Sequence, residues 1–298
     1  MLVSLAKRLS WLVGALPARR RGAPERTARQ IRAHYLIERE LADRLRNAPA
    51  ESRLGLYKEV YDELFRLVPD HPQLAARDRD EAHAKRMRTI NWQLGWLKPF
   101  LRPQTHFLEV GAGDCALALR VARQVASVHA VDVSPEIARV PVTSNVKLVL
   151  SDGISIDVPH GTIDVAFSNQ LMEHLHPDDA TAQLRSIYRA LAPGGRYLCI
   201  TPNRLYGPRD VSMHFDDVAT GLHLKEYSAR ELRAVFLRAG FRKVRFYCGA
   251  RGHYVAVPYP VLAMAEMLLE ALPAKIRRRV ADTYPARAFL GLYAEAVK

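Results

Sequence analysis

The stretch Phe107-Leu108-Glu109-Val110-Gly111-Ala112-Gly113-Asp114 decides the fold. A short run that suits a buried strand passes directly into two glycines one residue apart, and a helical pattern starts at about Ala116. Such a turn lets the backbone approach a ligand closely and leaves amide groups to face it. A second apolar run, 128–131, ends at Asp132, whose carboxylate can accept two hydrogen bonds from a ribose diol. Together the two features predict an adenosine-type ligand at the carboxyl edge of a sheet. The glycines alone leave its class open, because Gly111, Gly113 and Ala116 also satisfy the dinucleotide pattern G-x-G-x-x-A.

Outward from this stretch, short apolar runs at 146–150, 163–167, 197–200 and 244–247 alternate with helical segments. Continuous runs of this kind indicate parallel strands covered on both faces, so the predicted class is α/β. For the last strand 289–297 is preferred over 254–257, which makes 250–287 a mostly helical insertion. Upstream, apolar residues at three- and four-residue steps predict helices over 26–68 and from Asp80 to Phe100, with Pro69, Pro72 and Pro103 as stops. The expected organisation is an N-terminal helical extension over 1–90, with a basic amphipathic segment at 1–25, and a main domain over 91–298.

Further motifs follow in order: Asp152-Gly153 after the third strand, Ser168-Asn169-Gln170 after the fourth with Glu173 and His174 beyond, and Leu191-Ala192-Pro193-Gly194-Gly195 before the fifth. In these motifs, over about 92–248, the chain resembles the class I S-adenosylmethionine-dependent methyltransferases, the group of many small-molecule O-methyltransferases. The resemblance implies a Rossmann-like, doubly wound, seven-stranded sheet and S-adenosylmethionine as cofactor. It implies that Glu109, Gly111, Ala112 and Gly113 line the methionine half, Asp132 and Val133 the ribose, Asp152 and Gly153 the adenine, and Asn169 and Gln170 the rim. Three of these residues have a second reading in the sequence itself: Asp132 as the cap of a helix that begins near Pro135, Asp152 as turn chemistry, and Glu109 as the partner of a neighbouring backbone amide.

Methyl transfer from a sulfonium is an in-line displacement, so orientation supplies much of the acceleration, on the order of 7–11 kcal/mol. For a hydroxyl acceptor a base adds to this, and His174, after the fourth strand, is the first candidate, ahead of His214, His223 and His253. Ubiquinone-type O-methyltransferases can carry Glu-x-x-Glu-His at this place. Here Gln170 stands for the first acid, which leaves a poor site for a hard ion, so no required metal is expected. Neither Asn-Pro-Pro-Tyr nor Asp-Pro-Pro-Tyr follows the fourth strand, which demotes nucleic-acid bases as acceptors. A small molecule, a glycan or a lipid-like compound is expected, with the insertion as a lid. A non-catalytic binding module and a protein or RNA methyltransferase are the alternatives.

Composition agrees with an enzyme: 298 residues, 49% hydrophobic and 25% charged. Three cysteines suit neither a disulfide framework nor a four-ligand zinc site, so a reducing cytoplasm is expected. The net charge of +13 is uneven. Residues 1–100 carry 20 basic and 12 acidic side chains, 101–200 carry 8 and 10, and 201–298 carry 16 and 9. The excess thus lies on the flanks. Leu2 to Val13 with Arg19, Arg20 and Arg21, and a second basic run from Lys275 to Arg279, suggest peripheral contact with an anionic membrane.

Overall fold

A computed structural model of the chain describes residues 26–75, 80–133 and 143–298. The amphipathic segment expected at 1–25 and the helix expected near Pro135 lie outside them.

The central apolar runs form strands because the side chains on their two faces meet separate layers of helices. The strands are β1 (His106–Val110), β2 (Ser127–Asp132), β3 (Val146–Leu150), β4 (Ile163–Asn169), β5 (Leu191–Thr201), β6 (Lys243–Ala250), β7 (His253–Val257) and β8 (Leu292–Val297). Their order is β3-β2-β1-β4-β5-β8-β6-β7. The first five are parallel, while β8 runs antiparallel between β5 and β6. Phe107, Val128, Ala130, Phe167 and Leu198 face one core, with Leu117 and Val121 of α4 (Ala116–Val121). Leu108, Val110, Val131, Ala166, Tyr197 and Cys199 face the other, with α5 (Pro177–Ala190) and α6 (Ala229–Ala239). This two-sided burial is why the strands read as continuous apolar runs rather than as alternations.

The sheet has eight strands where seven were expected, because both candidates for the last strand form. Arg251 and Gly252 take positive φ values of 55° and 87°, the conformation a two-residue hairpin turn needs at both central positions. The turn folds β7 back on β6, with Ala250 opposite His253. The insertion therefore comprises β7 and three helices, α7 (Tyr259–Glu270), α8 (Ala274–Ala281) and α9 (Tyr284–Leu290).

Helices upstream of residue 90 pack on the sheet. Leu41, Ala42 and Leu45 of α1 (Ala28–Asn47) and Val60 and Leu64 of α2 (Leu56–Leu67) belong to the same buried cluster as β1 and β4. On the opposite face, Trp96 of α3 (Asp80–Leu97) packs its ring against Phe167, Tyr247, Tyr254 and Tyr293. Gly95 permits that approach, since a Cβ there would sit 2.9 Å from the Gly252 carbonyl oxygen. Among the described residues, no helix is long and apolar enough to cross a membrane.

Candidate functional site

The carboxyl ends of β1, β2 and β4 border a cavity of about 190 Å³. Of the residues singled out in the sequence, Gly111, Gly113, Asp132, Val133, Gly153, Gln170 and His174 line it. Gly111 and Gly113 take φ values of 73° and 55°, so the loop turns sharply toward β2. Its amides do not face the cavity as expected. Those of Gly111 and Ala112 donate to the Val131 carbonyl at 2.9 and 3.0 Å, and that of Gly113 donates to Asp132 Oδ2 at 2.7 Å. The loop is thus tied to the end of β2, with Asp132 beside the glycines in the cavity wall.

Glu109, Ala112, Asp152 and Asn169 are absent from the cavity wall. Glu109 is buried, with one carboxyl oxygen near the Ala118 amide in the first turn of α4, and burial pushes its pKa up to about 8. That turn needs a cap: Cys115, the residue before α4, is in the left-handed region and its side chain caps no amide of the helix, since its Sγ donates to the Gly113 carbonyl instead. The other Glu109 oxygen, Oε2, is buried without a hydrogen-bond partner. Asp152 Oδ1 accepts from the amides of Ile154 at 2.7 Å and Ser155 at 2.6 Å, the turn chemistry its sequence allowed. Burial raises its pKa, but these amides outweigh the effect and hold it below the ordinary value.

The remaining wall comes from residues that reading the sequence did not single out as site residues. Tyr57, Lys58, Tyr61 and Phe65 enter from α2, and Ser151, Leu171, Leu175 and Gln183 from the main sheet and its helices. The sequence signal was the aromatic row Tyr57, Tyr61, Phe65 at four-residue spacing, which looks the same in a core helix. A buried latch holds α2 in place. Arg53 donates through Nε and Nη2 to Asp179 at 2.6 and 2.8 Å, and the Tyr57 hydroxyl donates to Asp179 Oδ2 at 2.6 Å. Gly153 turns beneath Tyr57, where a Cβ would come within 2.9 Å of the ring.

A second cavity, of about 480 Å³, shares Tyr61, Gln170 and His174 with the first. It is further lined by Arg26, His34, Glu38, His71, Arg209, Met213, His214 and His223. His253 lies in β7 and lines neither cavity, and no residue of 250–287 does. The cover expected from the insertion is supplied by α2 and, over the second cavity, by α1.

His174 is half-buried at the shared wall. Its Nδ1 donates to the Leu222 carbonyl at 3.0 Å, which leaves Nε2 as the acceptor of the neutral ring. Burial lowers its pKa to about 3, and neighbouring His223 adds to that. His223 bonds Glu226 through Nδ1 at 2.7 Å; burial opposes its charge, but Glu226 and Glu173 raise its pKa. Glu173, fully buried, accepts from Thr201 at 2.8 Å through Oε2 and has its pKa pushed up to about 7 by burial. Glu173, His174 and His223 bring one ligand atom each within 4.8 Å of one another, an arrangement able to hold an ion. His34, Glu38 and His71 do the same. In that group Arg26 can only donate to His34 Nδ1, so His34 Nε2 carries the proton that goes to Glu38.

Residues 60–245, more than half of the chain, match the family model described as a methyltransferase domain. A probable S-adenosylmethionine-dependent methyltransferase of Mycolicibacterium smegmatis is 33% identical over 88 residues, 29% of this chain and 31% of that protein. An uncharacterized methyltransferase of Mycobacterium tuberculosis is 29% identical over 98 residues, 32% of this chain and 49% of that protein. The matches thus span half or less of these curated relatives. A phosphoethanolamine N-methyltransferase of Haemonchus contortus, solved with phosphoethanolamine and S-adenosylhomocysteine, aligns at a TM-score of 0.53 and 14% identity over 84% of this chain and 50% of that one. A complex of the Haloferax volcanii Trm112 activator with a methyltransferase aligns at 0.52 and 17%, over 74% of this chain and 95% of the matched one. At these identities both speak for the fold alone. By its match over residues 60–245 and its sheet order, the chain belongs to the class I S-adenosylmethionine-dependent methyltransferase family.

Proposed function

We propose that this protein transfers a methyl group from S-adenosylmethionine to a small-molecule, glycan or lipid-like acceptor, at a hydroxyl oxygen. One observation carries the reading: two cavities meet at a wall made by Tyr61, Gln170 and His174, one at the carboxyl edge of the sheet and the other beside it. The smaller cavity suits the cofactor, because Asp132 faces it from the end of β2 beside the glycine turn. Asp132 and Val133 would hold the ribose, Gly111 to Gly113 the amino-acid side, and Gly153 with Ser151 the base. The bound cofactor supplies an electrophilic methyl on a sulfonium.

The chain's own residues do the rest. Tyr57, Tyr61 and Phe65 cover the first cavity and exclude water, while Gln170 is held at the junction by its amide, which donates to Ile200 at 2.8 Å. His174 Nε2 is a neutral acceptor that takes a hydrogen bond from the acceptor hydroxyl and aligns its oxygen with the methyl; as the C–O bond forms and the S–C bond breaks, the hydroxyl proton is released to solvent. Glu109 and Asp152 shape the turns behind the site, and Asn169 ends β4 next to Gln170. One carboxyl beside two imidazoles, with Gln170 where a second acid would stand, suits a hard cation poorly, so the reading calls for none.

The test incubates the full chain with methyl-labelled S-adenosylmethionine and a cell extract, with and without chelator, and counts label in lipid, polar-metabolite, glycan, RNA and protein fractions. Phosphoethanolamine belongs in a parallel screen, because a structural neighbour is solved with it. Label in the first three fractions, absent with Asp132→Ala and unchanged by chelator, supports the reading. Label confined to RNA or protein overturns the acceptor class.

A further inference from the structure

Helix α7 is apolar on both sides. Leu262 and Glu266 face inward, where Glu266 accepts from Asn203 at 2.7 Å and from the Ala229 amide at 2.8 Å. The opposite side carries Val261, Met264, Met267 and Leu268, which are 52%, 59%, 60% and 63% exposed. These positions fall at three- and four-residue steps, so they make one continuous stripe. Exposed Ile276 and Val280 add to it from α8, with Lys275 and Arg279 exposed beside them. A continuous exposed apolar patch rimmed by charge marks a contact surface.

The charge around the stripe selects what covers it. Between Tyr259 and Ala281 the acids are Glu266, which is buried, and Glu270, which pairs with Arg204. Lys275, Arg277, Arg278 and Arg279 occur within five residues of α8 without an acid among them. A second copy placed on the stripe by a two-fold axis would bring these cationic helices together, which opposes self-association. We infer that the α7–α8 face docks on an anionic lipid surface, with Met264, Met267 and Leu268 entering the interface and Lys275 and Arg279 meeting headgroup phosphates.

The face is also connected to the second cavity. Arg278 Nη2 donates to the Met213 carbonyl at 3.0 Å, Arg209 Nη1 stands 3.5 Å from Asp282 just beyond α8, and both Met213 and Arg209 line that cavity. Docking therefore holds one wall of the second cavity beside the bilayer. The inference does not depend on the methyl-transfer reading, since binding is measured without turnover.

The experiment pellets the full chain with vesicles of phosphatidylcholine alone or with about 30 mol% phosphatidylglycerol, because each interfacial cation contributes about a fivefold factor toward anionic lipid. Wild type is expected to pellet at least about tenfold better with the anionic vesicles. Met264→Ser/Met267→Ser/Leu268→Ser and Lys275→Glu/Arg279→Glu should each lose about tenfold or more while keeping wild-type melting and S-adenosylhomocysteine affinity. Unchanged pelleting of both variants, equal pelleting with neutral vesicles, or no pelleting of wild type overturns the inference. So does a serine variant whose sole change is from dimer to monomer by light scattering.

Discussion

Glu109 is a carboxyl group that burial keeps protonated at neutral pH, with its pKa pushed up to about 8 from 4.5. The folded chain therefore holds a proton that the unfolded chain releases. This contribution to stability is full below about pH 4.5 and lost as pH rises through about 8. Glu109→Gln keeps an acceptor for the Ala118 amide without the titration. Its melting point should match wild type at pH 4.5 and exceed it at pH 8 by the equivalent of about 4 kcal/mol; a constant difference across that range would refute the role of ionisation. His174 makes a second prediction. With its pKa lowered to about 3, it stays neutral through the working range, so transfer should show no inflection from this group near pH 6.5. His174→Ala should lower the transfer rate by about 10²-fold and leave S-adenosylhomocysteine affinity within about threefold. A variant with full turnover would remove the histidine from the mechanism.

Helix α2 shows how one element can complete a site built mostly by another part of the chain. Its aromatic row reaches the first cavity because Arg53 and Tyr57 converge on Asp179 at the start of α5. Replacing Asp179 by Ala leaves the Arg53 guanidinium buried and unpaired, which should destabilise the fold by about 3–5 kcal/mol. Asp179→Asn, which keeps an acceptor, should lose less and separate the latch from a general failure to fold. Gly153→Ala should also destabilise and weaken S-adenosylhomocysteine binding, because a φ of 97° and a Cβ 2.9 Å from Tyr57 both oppose a side chain. Calorimetric titration with S-adenosylhomocysteine checks both. The glycine turn, Asp132 and the strands were legible because they depend on local pattern. The α2 wall was not, since a row of aromatics at four-residue spacing says which face is apolar and nothing about what lies opposite.

At the level of the whole chain, the helices before β1 share the cores of the sheet and supply the cover of the first cavity. Removing residues 1–68 should therefore weaken S-adenosylhomocysteine binding by more than about tenfold and lower the melting point, instead of trimming a dispensable appendage. Equal binding by the truncated chain would show that the main sheet holds the ligand alone. Full-length protein should be stabilised by S-adenosylhomocysteine and unaffected by NAD, which separates the two ligand classes that the glycine pattern admits. The insertion was expected as a lid and lines neither cavity, touching the second through Arg278 and Asp282 against Met213 and Arg209; its exposed stripe and its basic helix are the surface proposed for lipid.

Local periodicity and turn chemistry were enough to establish the α/β class, the order of the parallel strands along the chain, the turn at Gly111 to Gly113 and the acid at Asp132. Each depends on residues within one strand, turn or helix, where backbone sterics and burial leave few choices. The α2 latch and the meeting of His174 with His223 depend on pairs far apart in the chain. Such pairs are selected by packing and charge across the folded core, and a linear pattern carries no record of which buried group will face which.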